Sequence, residues 1–327
     1  SFIYRRGPVE VLTGPGNVFQ CFEDKPLRFD AWDIDIFYEQ KQWPIDEYLG
    51  SELAENGPER AVLRSRYRFH DSHVTQKMIV YRADRRIDFA TEVEWNERQI
   101  LLKVAFPANV RATRATYEIQ YGHLERPTHR NTPWDVARFE VVAHRWVDLS
   151  EANYGVALLN DCKYGHDVHD NVLRLTLIKS SIRPDETADR GRHCFTYSLL
   201  PHEGDFRSAG VIEAGYALNY PVRVHAGTSA ADRATSGTSY SLGSCDTPGV
   251  YIDTVKRSED RRSWVFRVYE GHGARHAAVE LRFGFAVASV ERCNLIEEDR
   301  TPHEHDGRSL RFAIAPFEIV TFSVRPA

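Results

Sequence analysis

Arg86-Ile-Asp-Phe-Ala-Thr-Glu-Val-Glu-Trp95 alternates with a period of two. Ile87, Phe89, Val93 and Trp95 share one face, interrupted by Thr91, while the opposite face carries Asp88, Ala90, Glu92 and Glu94. Successive side chains of an extended chain point to opposite sides, so this stretch predicts a strand with one dry face and one wet face. The same habit recurs over 64–69, 77–81 and 100–106, and these four segments read as consecutive antiparallel strands. It continues through 115–121, 139–146, 155–160, 172–178 and 194–200. Helical spacing is scarce: 46–55 is the segment that offers it, and 209–219 suits either an extended or a helical chain. The fold class expected is all-β.

At 327 residues the chain exceeds what one hydrophobic core usually supports, which predicts two domains. Residues 226–243 are rich in Ser, Thr, Gly and Ala and read as a linker or long loop. Short strands then resume at 250–256, 264–269, 277–283, 286–294, 309–314 and 318–324, a number that suits a small sandwich. The boundaries expected are 1–205 for a large β-domain, 206–248 for a connecting segment and 249–327 for a small β-sandwich.

A formal charge of −5 offers phosphates no broad positive field, which argues against a nucleic-acid partner. No apolar run approaches the ~20 residues that span a bilayer, so no membrane association is expected. The five cysteines are far apart and form no Cys-x-x-Cys pair, which fits reduced thiols and a cytoplasmic location. The chain begins with Ser rather than Met and reads as a piece of a longer protein.

Three polar islands interrupt the strand pattern, and loops on a rigid sheet are where β-proteins keep binding groups. The first, Phe22-Glu-Asp-Lys-Pro-Leu-Arg-Phe-Asp-Ala-Trp-Asp-Ile-Asp-Ile36, sets Asp30, Asp33 and Asp35 beside Trp32. Rings flanked by carboxylates suit a sugar site, but acids near turns also satisfy backbone donors. The second, Tyr121-Gly-His-Leu-Glu-Arg-Pro-Thr-His-Arg-Asn-Thr-Pro-Trp-Asp135, gathers His129, Arg130, Asn131, Trp134 and Asp135 in a loop stiffened by prolines. It suits a hydroxyl-rich ligand or another domain equally. The third, Asn160-Asp-Cys-Lys-Tyr-Gly-His-Asp-Val-His-Asp-Asn171, contains Asn160, Asp161, Lys163, Tyr164 and His166. His166 and His169 stand three apart, a spacing that without a helix does not place both rings on one side, so no metal site is expected.

Together the islands resemble, in order, bacterial and cytosolic-type α-mannosidases of glycoside hydrolase family 38. The resemblance continues in Leu173-Arg-Leu-Thr-Leu-Ile-Lys-Ser180, Phe195-Thr-Tyr-Ser-Leu-Leu-Pro-His202, Asp253-Thr-Val-Lys256, Arg267-Val-Tyr-Glu270 and Pro316-Phe-Glu-Ile-Val-Thr-Phe322. It covers nearly the whole chain. It implies a large antiparallel β-super-sandwich, galactose-mutarotase-like, followed by a small β-sandwich. In that family an N-terminal α/β domain and a helical bundle hold the zinc ion and the aspartate nucleophile, and this sequence carries no counterpart of them.

The resemblance therefore implies the non-catalytic C-terminal portion of an enzyme that hydrolyses terminal α-linked mannose by a retaining mechanism. Its partners would be its own N-terminal catalytic domain and a mannose-containing oligosaccharide, with a homo-oligomer also open. No catalytic residue and no cofactor are expected in this chain, the zinc lying in the absent catalytic domain. The ten residues named in the second and third islands are the candidates for lining the substrate cleft. The rival readings are a free-standing carbohydrate-binding or mutarotase-like module, and an enzyme that uses Asp33, Asp35 or His166 itself.

Overall fold

The computed structural model describes residues 3–4, 9–45, 47–226 and 239–327. Its contacts divide the chain into two compact units, one of Ser1–Ile119 with Leu124–Val222 and one of Gln120–His123 with Arg223–Ala327. Both units are built from antiparallel sheets, so the all-β expectation holds.

The larger unit is a sandwich. Its nine-stranded sheet runs, edge to edge, Gly122–Pro127, Arg114–Ile119, Trp146–Ser150, Tyr154–Asn160, Gly191–Glu203, Ile87–Trp95, Ser72–Tyr81, Arg60–Phe69 and Glu47–Asn56. The six-stranded sheet runs Val141–Val142, Gly165–His169, Val172–Lys179, Ile100–Pro107, Val18–Glu23 and Gln42–Pro44. Phe89, Val93, Trp95, Leu158 and Leu199 of the first sheet and Phe19, Leu102, Val104, Phe106 and Leu173 of the second share one buried core. Phe106 bridges the layers, its ring centroid 5.7 Å from Phe89 and 6.2 Å from Tyr197.

The strand Ile87–Trp95 has the bounds its alternation predicts and lies between two partners, with Glu92 and Glu94 open to solvent on its wet face and Asp88 buried against Ser198 and Arg86. Thr91, the break in its apolar face, is taken up in a polar network. The Gln76 amide donates to Thr91 Oγ1 at 2.8 Å and to Tyr197 Oη at 2.7 Å, Tyr197 donates to Asn17 Oδ1 at 2.6 Å, and Asn17 donates to Gln76 Oε1 at 2.5 Å. Each member gains a partner inside the core, which is what a buried polar group needs.

Three expectations are corrected. Ile100–Pro107 does not continue the meander but crosses to the other sheet, between Val172–Lys179 and Val18–Glu23. Its run of apolar residues on both faces suits a strand covered on both sides. The helical reading of 46–55 fails, because Glu47–Asn56 pairs with Arg60–Phe69 as an edge strand, while Asp46 lies outside the described residues. Cross-strand pairing overrides weak local preference there. Of 139–146, only Val141–Val142 and the beginning of Trp146–Ser150 are extended as strand. The edge strand Glu47–Asn56 is irregular at Tyr48/Gly50 and again at Leu53/Glu55, with Gly50 at φ 121°.

Of residues 209–219, open between two readings, Val211–Asn219 form a helix, which belongs to the larger unit. Residues 227–238 of the expected linker lie outside the described residues. In the smaller unit, Gly243–Ser244, His276–Phe283 and Ser309–Ile314 form one sheet, and Val250–Arg257, Trp264–Glu270, Ile319–Pro326, Val287–Cys293 and Thr301–Pro302 form another. Val279, Leu281 and Phe312 of the first and Phe266, Val290 and Phe322 of the second share a core, the small sandwich expected.

Candidate functional site

The second and third polar islands meet. Val141 pairs with His166 and Val142 with Gly165, so the chain following the second island runs antiparallel to the third at an edge of the six-stranded sheet.

The turn 160–164 joins the two sheets, and its side chains divide into those committed to the turn and those left open. Asn160 is buried: its amide donates to the His144 carbonyl at 2.6 Å and its Oδ1 accepts from the Lys163 amide at 2.7 Å. Asp161 accepts from the Thr196 amide at 2.9 Å, which ties the turn to the neighbouring strand Gly191–Glu203. Lys163 lies over the Phe195 ring at 4.8 Å, a cation–π contact. Tyr164 is half-exposed and edge-on to His144 at 5.2 Å.

His166 and His169 lie on the strand Gly165–His169, where an odd spacing sends them to opposite faces. His166 turns to the core side with Val168, and its ring is buried. Burial pushes its pKa down to about 4, against the opposing pull of the Tyr164 backbone. It is a neutral imidazole at ordinary pH. Among the described residues no three His, Cys, Asp or Glu side chains converge as a metal site would require.

In the second island Arg130 grips Glu39 with two guanidinium bonds of 2.7 Å each, the bidentate geometry that fixes orientation. Asp135 and Thr132 form a reciprocal capping box on the short helix Pro133–Val136. His129 Nδ1 lies 3.7 Å from the Asp135 carboxylate. His129, Arg130, Asp135 and Asp167 line a narrow polar cavity of ≈ 20 Å³, room for one water. Asn131 and Trp134 project into solvent.

Beneath these loops lies a cluster to which the islands contribute only Arg130 and Asp167. Alternation puts Lys103 and Asp167 on the outer face of the six-stranded sheet, roofed by the 3-10 turn Ile36–Gln40 and by Phe139. Lys103 is wholly buried, pairs with Glu140, and lies 2.7 Å from Asp167 and 5.4 Å from the Tyr38 ring centre. Arg174 donates to Asp167 at 2.7 Å and approaches Glu39 at 3.5 Å. Lys103, Arg174 and Arg130 thus balance Asp167, Glu140 and Glu39.

Burial alone would raise the pKa of Asp167, but Lys103 and Arg174 outweigh it and hold the carboxyl below its usual range. Glu39 is lowered in the same way: burial opposes, and Arg130 and Arg174 prevail. Burial drives the Lys103 ammonium down, yet Asp167 and Glu140 carry it above its ordinary value. These groups are fixed charges. A general acid needs a carboxyl held protonated near neutrality, and Asp167 and Glu39 are held the other way.

The first island behaves differently. Asp30 accepts from the Ile182 amide at 2.7 Å, Asp33 from the Ile34 amide at 2.9 Å and Asp35 from the Leu27 amide at 2.7 Å. All three acids therefore serve backbone donors. Asp24 is buried against Lys179, and desolvation raises its pKa despite that partner. Of the island's aromatic side chains Phe22 is buried, but the other two stay in solvent: Phe29 is 67% and Trp32 76% exposed.

Sequence reasoning missed Tyr38, Glu39, Lys103, Glu140 and Arg174. Lys103 had a signal, since it is the one charge between Ile100 and Pro107 in a strand that is otherwise apolar. A strand of that kind is covered on both faces, so its single charge must find buried partners.

Residues 1–187 match the family described as glycosyl hydrolases family 38 C-terminal domain, and residues 249–322 match glycosyl hydrolases family 38 C-terminal beta sandwich domain. The chain is 43% identical over 317 residues to alpha-mannosidase 2C1 of Homo sapiens, covering 94% of this chain and 30% of that protein. It is 41% identical over 318 residues to alpha-mannosidase G of Dictyostelium discoideum, covering 94% of this chain and 29% of that protein. The chain thus spans about 30% of the length of these curated relatives. A crystal structure of an alpha-mannosidase from Enterococcus faecalis V583 shares the fold, with a TM-score of 0.71 at 15% identity, over 94% of this chain and 38% of that one. With more than half of its residues in the first match and most of its second unit in the other, the chain belongs to the C-terminal domains of glycosyl hydrolase family 38.

Proposed function

We propose that this chain is the non-catalytic C-terminal portion of an α-mannosidase that releases terminal α-linked mannose by a retaining mechanism. The observation that carries the reading is the succession of two C-terminal family matches in a chain about 30% as long as relatives named alpha-mannosidase. In this reading a preceding catalytic part holds the zinc ion and the carboxylate nucleophile, and the present chain supports it and shapes the substrate cleft in the cytoplasm. The balanced charges around Lys103 suit that duty, because the pairs Lys103–Glu140 and Arg174–Glu39 fix the roof segments 34–40 and 128–140 on the sheet without offering a proton.

Within the cleft, Tyr164, Lys163, Asn131 and Trp134 are the residues with surface to offer a sugar, and His129 stands behind them at the cavity. Asn160, Asp161, Arg130 and Asp135 hold these loops in shape through their backbone and ion-pair bonds.

The test compares mannose release from an aryl α-mannoside by the full-length gene product and by the 327-residue chain. Turnover by the longer protein with none above buffer for the shorter is expected. Turnover by the 327-residue chain itself would assign the chemistry here and overturn the reading. An inert full-length protein that still binds mannosides would favour a carbohydrate-binding module.

A further inference from the structure

The loop 26–32 and the segment 182–186 face each other across an open depression of ≈ 740 Å³, a volume in the range of small-ligand sites. Two aromatic rings that burial would stabilise are left in water at its rim, Trp32 and Phe29. The loop that presents them is held rigidly. Asp30 ties it to the Ile182 amide, Asp35 ties Leu27, and the Phe29 carbonyl accepts from the Trp32 and Asp33 amides at 2.7 and 2.9 Å.

The backbone is also strained where the ring is displayed. Phe29 sits at φ 56° and Gln99, which lines the same depression, at φ 52°. A bulky side chain in the left-handed region costs energy and persists where the surroundings enforce it, a pattern that clusters at ligand clamps. The polar lining is mixed and balanced: Arg28 and Arg183 against Asp30 and Glu186. Such a lining gives donors and acceptors together and favours a neutral, hydroxyl-rich ligand over an anion or an apolar segment.

We propose that this depression is a sugar platform, on which a pyranose ring of a neutral oligosaccharide stacks against Trp32 and Phe29 while Arg28, Arg183 and Glu186 take its hydroxyls. The platform stands on the geometry of this unit alone. Only the choice of mannose as the sugar rests on the function proposed above.

Isothermal titration of the 327-residue chain with an α-linked mannotriose, and separately with maltotriose, tests it. Mannotriose should bind the unaltered chain, and Trp32→Ala should weaken it at least tenfold, equivalent to about 1.4 kcal/mol, with the melting temperature unchanged. Because Trp32→Ala removes an exposed ring, folding should survive, and Arg183→Ala serves as a second variant if it does not. Binding of maltotriose alone, lost in Trp32→Ala, upholds the platform and overturns the choice of mannose. Absence of binding by both sugars, or binding that both variants leave intact, overturns the platform.

Discussion

Lys103, which no water reaches, lies 2.7 Å from the carboxylate of Asp167, and the two come from strands 64 positions apart that do not pair directly. The strand Val172–Lys179 lies between them and contributes Arg174 to the same carboxylate. Removing one member of such a group leaves its partners charged and dry. Lys103→Met should therefore cost about 3–5 kcal/mol of unfolding free energy, whereas Arg192→Ala, which breaks a solvent-exposed pair with Glu92, should leave the unfolding free energy nearly unchanged. Urea denaturation of both variants checks the contrast, and similar midpoints would show that the cluster is not stabilising.

A neutral buried imidazole makes stability depend on acid. The folded His166 pKa of about 4 lies below its unfolded value near 6.5, so the unfolded chain binds the proton more readily. Its contribution is complete above about pH 6.5 and is lost as pH falls from there towards about 4, on the order of 3 kcal/mol. Urea midpoints measured from pH 7 to 4.5 should fall, and the fall should be shallower in His166→Leu. Below this window the lowered Asp167 and Glu39 add a further loss as pH falls from about 4 through their folded values. An equal slope in the His166 variant and the unaltered chain would remove this residue from the account.

Tyr197 closes the ring of hydrogen bonds with Gln76 and Asn17 inside the core. Tyr197→Phe keeps the ring stacked on Phe89 but leaves an Asn17 acceptor and a Gln76 donor short of a partner. A loss of about 1–3 kcal/mol is expected. In a double-mutant cycle with Gln76→Leu, the second change should cost less once the first is made. Strict additivity would mean that the network is not coupled.

Two neighbouring residues of the turn 160–164 should respond differently. Tyr164→Ala in the full-length protein should lower kcat/KM about tenfold with no change in melting temperature, since its side chain is half-exposed. Asp161→Ala should lower the melting temperature, because its carboxylate holds the Thr196 amide. The reverse pattern would place Asp161 at the substrate and Tyr164 in the scaffold.

Much of the fold was legible because strands with one buried face announce themselves. Ile87–Trp95 and Ser309–Ile314 have the bounds that alternation predicts. Glu47–Asn56 was misread because an edge strand exposed on both faces carries no alternation to find. The site was less legible. Acids in the first island look like a ligand set in sequence, yet Asp33 and Asp35 spend their oxygens on nearby backbone amides. The charges that matter most, Lys103, Glu140 and Asp167, meet only through folding. The lone charge of Lys103 in an apolar strand is a signal that periodicity carries, but it does not name the partners.

The two irregularities of the strand Glu47–Asn56 bear on how this protein meets its own copies. A regular ten-residue edge, bare on both faces, is a template for recruiting another chain. Here the ladder slips beside Gly50 and again near Leu53, so the outward row of amides and carbonyls loses the even spacing a newcomer would need. At this edge the nine-stranded sheet is in effect terminated: it can be crowded at high concentration without being extended from this side.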